Sequence, residues 1–518
     1  MSNIVVRIDF GTTYSGIAWS LSRAQDDIEV VAEWPGGGTK SVTTPKVPTT
    51  ISYEKGNIKW GYDTCNSGEV LRGVKLLLDE SQKTRYPPSL KSKELLDKKG
   101  KFPAEVVAAF LKKLVKQGRH ILCRRFGDAA ESMDIDYVLT VPAVWSDKAK
   151  NATLSAGLAA GMLASNVFLI SGPEAAALYC FNTMLPKTIQ NGDVAIVCDA
   201  GGGTVVYVFP SLPREAAQGT GAICGSVVLD MGSETTLKSL FGDAQYDKIP
   251  ERTRQTAMSY WQDTIKPNFE EQDDKDLEVD YFISMPGVDN NISIGLENGF
   301  LAIDGATVQG IFDPVVSEVK TLVRSQINSI AKAGMKAKVI FLVGGFRASE
   351  YLFRRLEAAF LPITVMQPPN AGAVQRALSG NRVEKRIARC HYCIHYRVPY
   401  VSSIQKRSER VWDDLHEMYY VHKRMKWYIS KRGSVSEDKS IKMPFEMTFP
   451  VGGGCTPLCT MHYDLGAIPT GLFQKQENSK GDRYYEIPIQ ISTTPKSASI
   501  LFEVEFEGVS YGMIRVKY

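Results

Sequence analysis

Two glycine–threonine turns, each behind an apolar strand-like run, constrain this chain more than any other feature. IDFGTTYSG at residues 8–16 follows the run IVVRI, and CDAGGGTVVYV at 198–208 follows VAIVC. Each places an acid, Asp9 or Asp199, two residues ahead of a glycine. The pattern is strand, turn, strand, and it is used twice.

Glycine lets successive backbone N–H groups turn toward one point, which makes a concavity suited to an anion, and threonine hydroxyls add donors at its rim. Such a turn suits phosphate. An acid just before it would repel the same phosphate unless a cation stands between them, and Mg²⁺ with its retained waters is the usual solution. One copy alone is more often a hairpin than a ligand site. The second copy argues for a ligand, and so does a third segment, VIFLVGGFRASEYLFRRL at 339–356. This last reads as a strand, a Gly344-Gly345 turn and an amphipathic helix, where a base or ribose can lie against bare backbone.

In this order the segments resemble the 70-kDa heat-shock protein family of the actin-like ATPase superfamily, and specifically its divergent branch with a shortened carboxy-terminal region. The two turns resemble the family's phosphate motifs and VGGFRASEYL its adenosine motif. DYVLTVPAVWSDKAKNATLSAGLAAGM at 136–162 is similar to the strand and helix of its proline switch, here Pro142, and ISGPEAAALYC at 170–180 to its connecting helix. The resemblance covers about residues 4–380.

What the resemblance implies is an α/β fold: a two-lobed actin-like ATPase with duplicated ribonuclease-H-like lobes, here followed by a β-rich module. It implies ATP or ADP as cofactor with Mg²⁺ on Asp9 and Asp199. Phosphates would lie on the backbone around Gly11, Thr12, Thr13 and Tyr14 and around Gly201, Gly202, Gly203 and Thr204. Lys75, Asp199 and Thr204 would serve the chemistry, the lysine by offsetting charge that develops on the γ phosphate. Gly344 and Gly345 would back the adenosine, with Gln262 and Lys266 at the adenine.

Four departures bear on activity. Gly172 stands where the family has an acid ahead of Pro173, and Glu174 lies two residues on. Val206 stands at the acid position after the second turn, and Lys150 replaces the switch arginine with an ammonium that lacks the planar fork. PPNAGAVQRAL at 368–378 is about one helical turn shorter than the segment the family has there. The expectation is a chaperone-related ATP-binding protein with impaired hydrolysis. An active ATP-hydrolysing chaperone is the alternative, and a small-molecule kinase of the same superfamily a weaker one.

A chain of 518 residues is too long for one core. The expected divisions are a first lobe at 1–188, a second at 189–380 with a capping subdomain at about 226–308, a basic helical connector at 381–425 and a β-rich module at 426–518. Within the first lobe, VPTTISYEKGNIKWGYD reads as a hairpin and 103–126 as a helix with an apolar stripe. The connector's basic residues, Arg386, Arg389, Arg397, Lys406, Arg407 and Arg410, are read as a solvated helix face beside Asp413, Asp414 and Glu417.

A net charge of +4 is small for this length and gives no reason to expect nucleic acid. No apolar run reaches the ~20 residues of a membrane span, and the amino terminus enters a strand at once, so neither a leader nor a membrane is expected. Nine cysteines suit reduced thiols and a cytoplasmic location. Cys390 and Cys393 with Cys455 and Cys459 are spaced too loosely for a zinc ribbon. The expected partners are polypeptide clients or co-chaperones.

Overall fold

Strand-forming runs alternate with amphipathic helices, and the computed structural model resolves them into two compact units, Met1–Arg382 and Val383–Tyr518. It describes residues 3–22, 28–36, 44–54, 56–80, 86–142, 144–172, 180, 194–201, 204–210, 217–222, 224–270, 277–368, 385–387, 392–430, 434–436, 440–450, 461–462, 472–495, 500–513 and 515–516. The architecture is mixed α/β.

In the first unit, one sheet runs in the order Glu29–Val30, Tyr14–Leu21, Ile4–Asp9, Ile135–Val141, Val167–Ser171, with Val47–Pro48 paired to Tyr14–Leu21. Ile4–Asp9 is antiparallel to Tyr14–Leu21 and parallel to Ile135–Val141, which is parallel to Val167–Ser171. Ile4, Val5, Val6 and Ile8 are at most 5% exposed, so the strand is interior on both faces. A second sheet has the order Ala217–Ala222, Thr204–Pro210, Val194–Ala200, Ala337–Val343, Thr364–Met366, with the same sequence of antiparallel and parallel neighbours.

The helix expected over 103–126 spans Pro103–Phe126. Pro103 begins it, and Glu105 accepts the Phe102 N–H at 3.1 Å, satisfying a donor that has no partner within the helix. Val106, Val107, Phe110, Leu111, Leu114, Val115 and Leu122 form its buried stripe. The hairpin is Thr50–Glu54 with Asn57–Trp60, and Glu54 opposes Asn57 across a turn that uses Gly56 at φ +81°. On the second sheet, Asp304 caps the long helix Gly305–Lys332 and Ser349 caps Glu350–Phe360. A three-stranded sheet, Asp280–Ser284, Phe300–Asp304 and Leu296–Glu297, lies in the 226–308 segment with the helices Ser226–Phe241 and Glu251–Tyr260.

The second unit corrects the helical connector. Tyr392–Pro399, Met418–Ile429 and Arg410–Asp413 form an antiparallel sheet, and Lys385–Ile387 pairs with Ser434–Ser436. The acids that suggested a helix face make its turn instead. Asp413 accepts the N–H groups of Leu415 and His416 at 3.1 and 2.9 Å, and Glu417 adopts φ +50°. Val411, Trp412, Tyr419 and Val421 have the bulk that suits a pleated surface. Arg397 pairs with Asp413, and Arg410 stacks 4.1 Å from the Tyr419 ring. Beyond these, Ile441–Pro450, Arg483–Pro495, Ile500–Phe506 and Val509–Met513 form an antiparallel sheet with Gln474–Glu477 on its edge. Arg389, Cys390, Cys455, Cys459, Glu174 and 369–384 lie outside the described residues, and Cys393 is described by its backbone alone.

Candidate functional site

Two interior strands of the first unit, Ile4–Asp9 and Val194–Ala200, run out into the two turns, and each ends in or next to its acid. Open α/β sheets place ligands beyond such strand ends. The first turn is held from within. The Gly11 N–H donates to Ser15 Oγ at 3.3 Å, Ser15 Oγ and Thr49 Oγ1 share a 2.8 Å hydrogen bond, and the Thr49 N–H donates to the Thr13 carbonyl at 2.8 Å. A Cβ at Gly11 would meet the Tyr14 carbonyl oxygen at 1.9 Å, so the turn admits only glycine. Thr12 and Thr13 are half-buried, and Tyr14, 41% exposed, stands at the rim.

At the second turn the Gly201 N–H folds back onto the Asp199 carbonyl at 3.2 Å, and the Gly201 carbonyl accepts the Ser226 N–H at 2.9 Å. Gly202 and Gly203 lie outside the described residues. Thr204 is described by its backbone, in register with Ala200 and Ala222. The Asp199 carboxylate lies between two glycines. A Cβ at Gly172 would sit 3.0 Å from its Oδ2, and one at Gly344 would sit 2.5 Å from its Oδ1 and 2.5 Å from the Ala200 carbonyl oxygen. Gly344 also adopts φ +90°, whereas a Cβ at Gly345 would meet open space.

Lys75 sits in a tight turn, Val74–Leu78, entered through Gly73 at φ +63°. Only 8% of it is exposed. Its Nζ donates to the Phe10 carbonyl and lies 5.4 Å from the Phe10 ring and 5.7 Å from that of Trp145. Burial pulls the Lys75 ammonium down to about 8 despite the opposing pull of Asp9 and Asp199. Burial, followed by the charge of Asp9, pushes Asp199 up to about 6 against Lys75, Lys46 and Arg7. Asp9 is also pushed up by burial, but Lys46, Arg7 and Lys75 outweigh that and hold it well below the usual carboxylate range. Lys46 reaches Asp9 Oδ2 at 3.1 Å, and Thr140 Oγ1 donates to Oδ1 at 3.2 Å.

Three cations therefore face two carboxylates, a surplus of positive charge at a glycine turn, which suits a polyphosphate. The Mg²⁺ expected on Asp9 and Asp199, held through its waters, would have to share both carboxylates with these cations.

Gln262 and Lys266 come together, but on a residue missed in the sequence reading. Asp230, 5% exposed in the helix Ser226–Phe241, accepts Trp261 Nε1 at 3.1 Å, Gln262 Nε2 at 2.9 Å and Lys266 Nζ at 2.7 Å. The turn Trp261–Ile265 is a π-helical widening, which puts all three donors on one acid. The sequence signal was an acid inside the apolar run SVVLDMG. Burial raises the Tyr14 phenol, and Asp263 and Asp230 add to the effect, so the rim of the first turn lies close to this cluster.

Of the departures, Gly172 borders Asp199 as described. Lys150 pairs with Asp147 at 3.5 Å. Val206 is seen through its backbone, opposite Cys198 and Thr220.

No family model matches the chain. The curated proteins it resembles are divergent members of the 70-kDa heat-shock family. Heat shock 70 kDa protein 12A of Homo sapiens is 24% identical over 69% of this chain, and heat shock 70 kDa protein 12B of Homo sapiens is likewise 24% identical over 69%. Heat shock 70 kDa protein 12A of Mus musculus is 31% identical over 38% of the chain. The matches span 66% and 65% of the two human relatives and 31% of the mouse one, so this chain spans just under two thirds of the human proteins' length.

Proposed function

We propose that this relative of the divergent 70-kDa heat-shock proteins has the two duplicated lobes of an actin-like ATPase, binds ATP or ADP between them and hydrolyses ATP slowly. The observation that supports the reading is the matched pair of sheets. Their strand orders and directions agree, each ends an interior strand in an acid and a glycine turn, and one buried lysine, Lys75, feels both acids. Phosphates would rest on the N–H groups around 11–14 and 201–204, with Lys75 near the γ phosphate. Gly344 and Gly345 would back the adenosine, and Gln262 and Lys266, oriented by Asp230, would border the base. The β-rich second unit is read as a polypeptide-handling module in a chaperone-related role. A cytoplasmic location accords with Cys123, Cys180, Cys198 and Cys224, all free thiols.

The test is ligand-linked stability. ATP or ADP at a hundred times its Kd stabilises the folded state by about 2.7 kcal/mol, enough to raise Tm by several degrees. Calorimetry on the same samples should show a heat of binding. Neither shift nor heat with either nucleotide would overturn the reading.

Slow hydrolysis follows from Gly172 and Val206. A positioned acid or base is worth about 10²- to 10⁴-fold in rate. Single-turnover hydrolysis should therefore run at least a hundredfold slower than in a chaperone that retains both acids. A comparable rate, lost on Lys75→Ala, would establish the active chaperone in its place.

A further inference from the structure

Arg7 has no purpose that the sheet itself explains. It lies in the middle of Ile4–Asp9, between Val6 and Ile8, which are 2% and 0% exposed, and its neighbours across the two ladders are Ala18 and Val138. A guanidinium in an interior strand is costly unless opposite charge stands near it. Its Nε is buried and has no hydrogen-bond partner among the described residues. Side chains two apart on a strand share a face, so Arg7 points the same way as Asp9. The two opposing charges it feels are those of Asp9 and Asp199, the pair at the mouths of the phosphate turns.

Offsetting the charge of these acids as a phosphate approaches is part of what a divalent metal would do. The guanidinium is permanently charged, is less strongly hydrated than an ammonium and offers a planar fork that matches carboxylate and phosphate oxygens. Lys46 on Asp9 Oδ2 and the buried Lys75 complete the count of three cations to two anions. A Mg²⁺ ion entering here would meet that positive surplus at short range, where charges interact far more strongly than in water.

We propose that Arg7 is the resident cation of this cleft and that the chain binds nucleotide polyphosphate without a divalent metal. The inference rests on the nucleotide reading and makes it more specific. Free ATP and ADP are the ligands of the site, and Mg²⁺ either leaves their affinity unchanged or weakens it.

The experiment is calorimetric titration of the full chain with ADP and with ATP, once in EDTA and once in excess Mg²⁺, repeated with Arg7→Met, which keeps the length of the side chain and removes its charge. The wild type should bind in EDTA at least as tightly as in Mg²⁺, within about threefold. Arg7→Met should lose tenfold or more in EDTA and regain part of that in Mg²⁺. Should the wild type bind only in Mg²⁺, Arg7 is not the resident cation, although the nucleotide reading stands. Binding in neither condition overturns both. If Arg7→Met does not fold, as judged by circular dichroism, the comparison of wild type in EDTA and Mg²⁺ decides alone.

Discussion

Lys75→Met should make the nucleotide-free protein harder to unfold and at the same time abolish its binding of ATP and ADP. Lys75 keeps its charge at neutral pH in a place that disfavours it. The fall from the ordinary 10.5 to about 8 corresponds to on the order of 3 kcal/mol against the folded state. Methionine fills the same space without charge, at the loss of the hydrogen bond to the Phe10 carbonyl, worth about 1 kcal/mol. The expected net gain is about 2 kcal/mol, read as a higher urea midpoint with unchanged slope.

The pH dependence separates this cause from better packing. Above about pH 10.5 the lysine is neutral in both folded and unfolded chains and costs nothing. As pH falls from there the unfolded chain takes up the proton first, and stability drops until the cost is complete below about pH 8. The advantage of Lys75→Met should therefore be full at pH 7 and fade as pH rises from 8 to 10.5. A variant less stable than wild type at pH 7, or one that keeps its nucleotide affinity, would refute the assignment of Lys75 as a strained phosphate-site cation.

Gly344→Ala and Gly345→Ala should differ as sharply as any neighbouring pair in the chain. At 344 the new methyl requires φ +90° from an L residue and collides with the Ala200 carbonyl oxygen, an atom fixed in the sheet. The combined strain and overlap should cost about 3–5 kcal/mol, at the upper end for single substitutions. At 345 the methyl meets nothing within 4 Å, so stability should stay within about 0.5 kcal/mol. If a nucleoside lies against Gly345, however, that methyl enters its space and affinity should fall at least tenfold. Equal stability losses in both variants would contradict the turn geometry. Unchanged affinity in Gly345→Ala would move the nucleoside elsewhere.

What could be read from the sequence was what local chemistry decides. The helix Pro103–Phe126 and the hairpin around Gly56 follow from period and turn residues within a few positions of one another. Asp9 and Asp199 were legible because each stands directly before its glycine turn. Arg7 was not, since one arginine in IVVRI reads as the solvent-facing residue of a strand, and only the approach of Asp199, far along the chain, gives it an internal role. Asp230 was hidden for a similar reason, as its partners lie 31 to 36 residues away on a widened helical turn. The segment 381–425 misled because acids spaced for a helix face serve equally well in an Asx turn, and only cross-strand pairing decides between the two.

The confinement of the Asp199 carboxylate between Gly172 and Gly344 also bears on ancestry. A glutamate arriving at 172 by a single substitution would press its Cβ against Asp199 Oδ2 at 3.0 Å and bring a second negative charge to a carboxylate already reluctant to ionise. The Asp199 side chain would have to give by a few tenths of an ångström to admit it, so in any history of such substitutions residue 172 and the setting of Asp199 change together rather than independently.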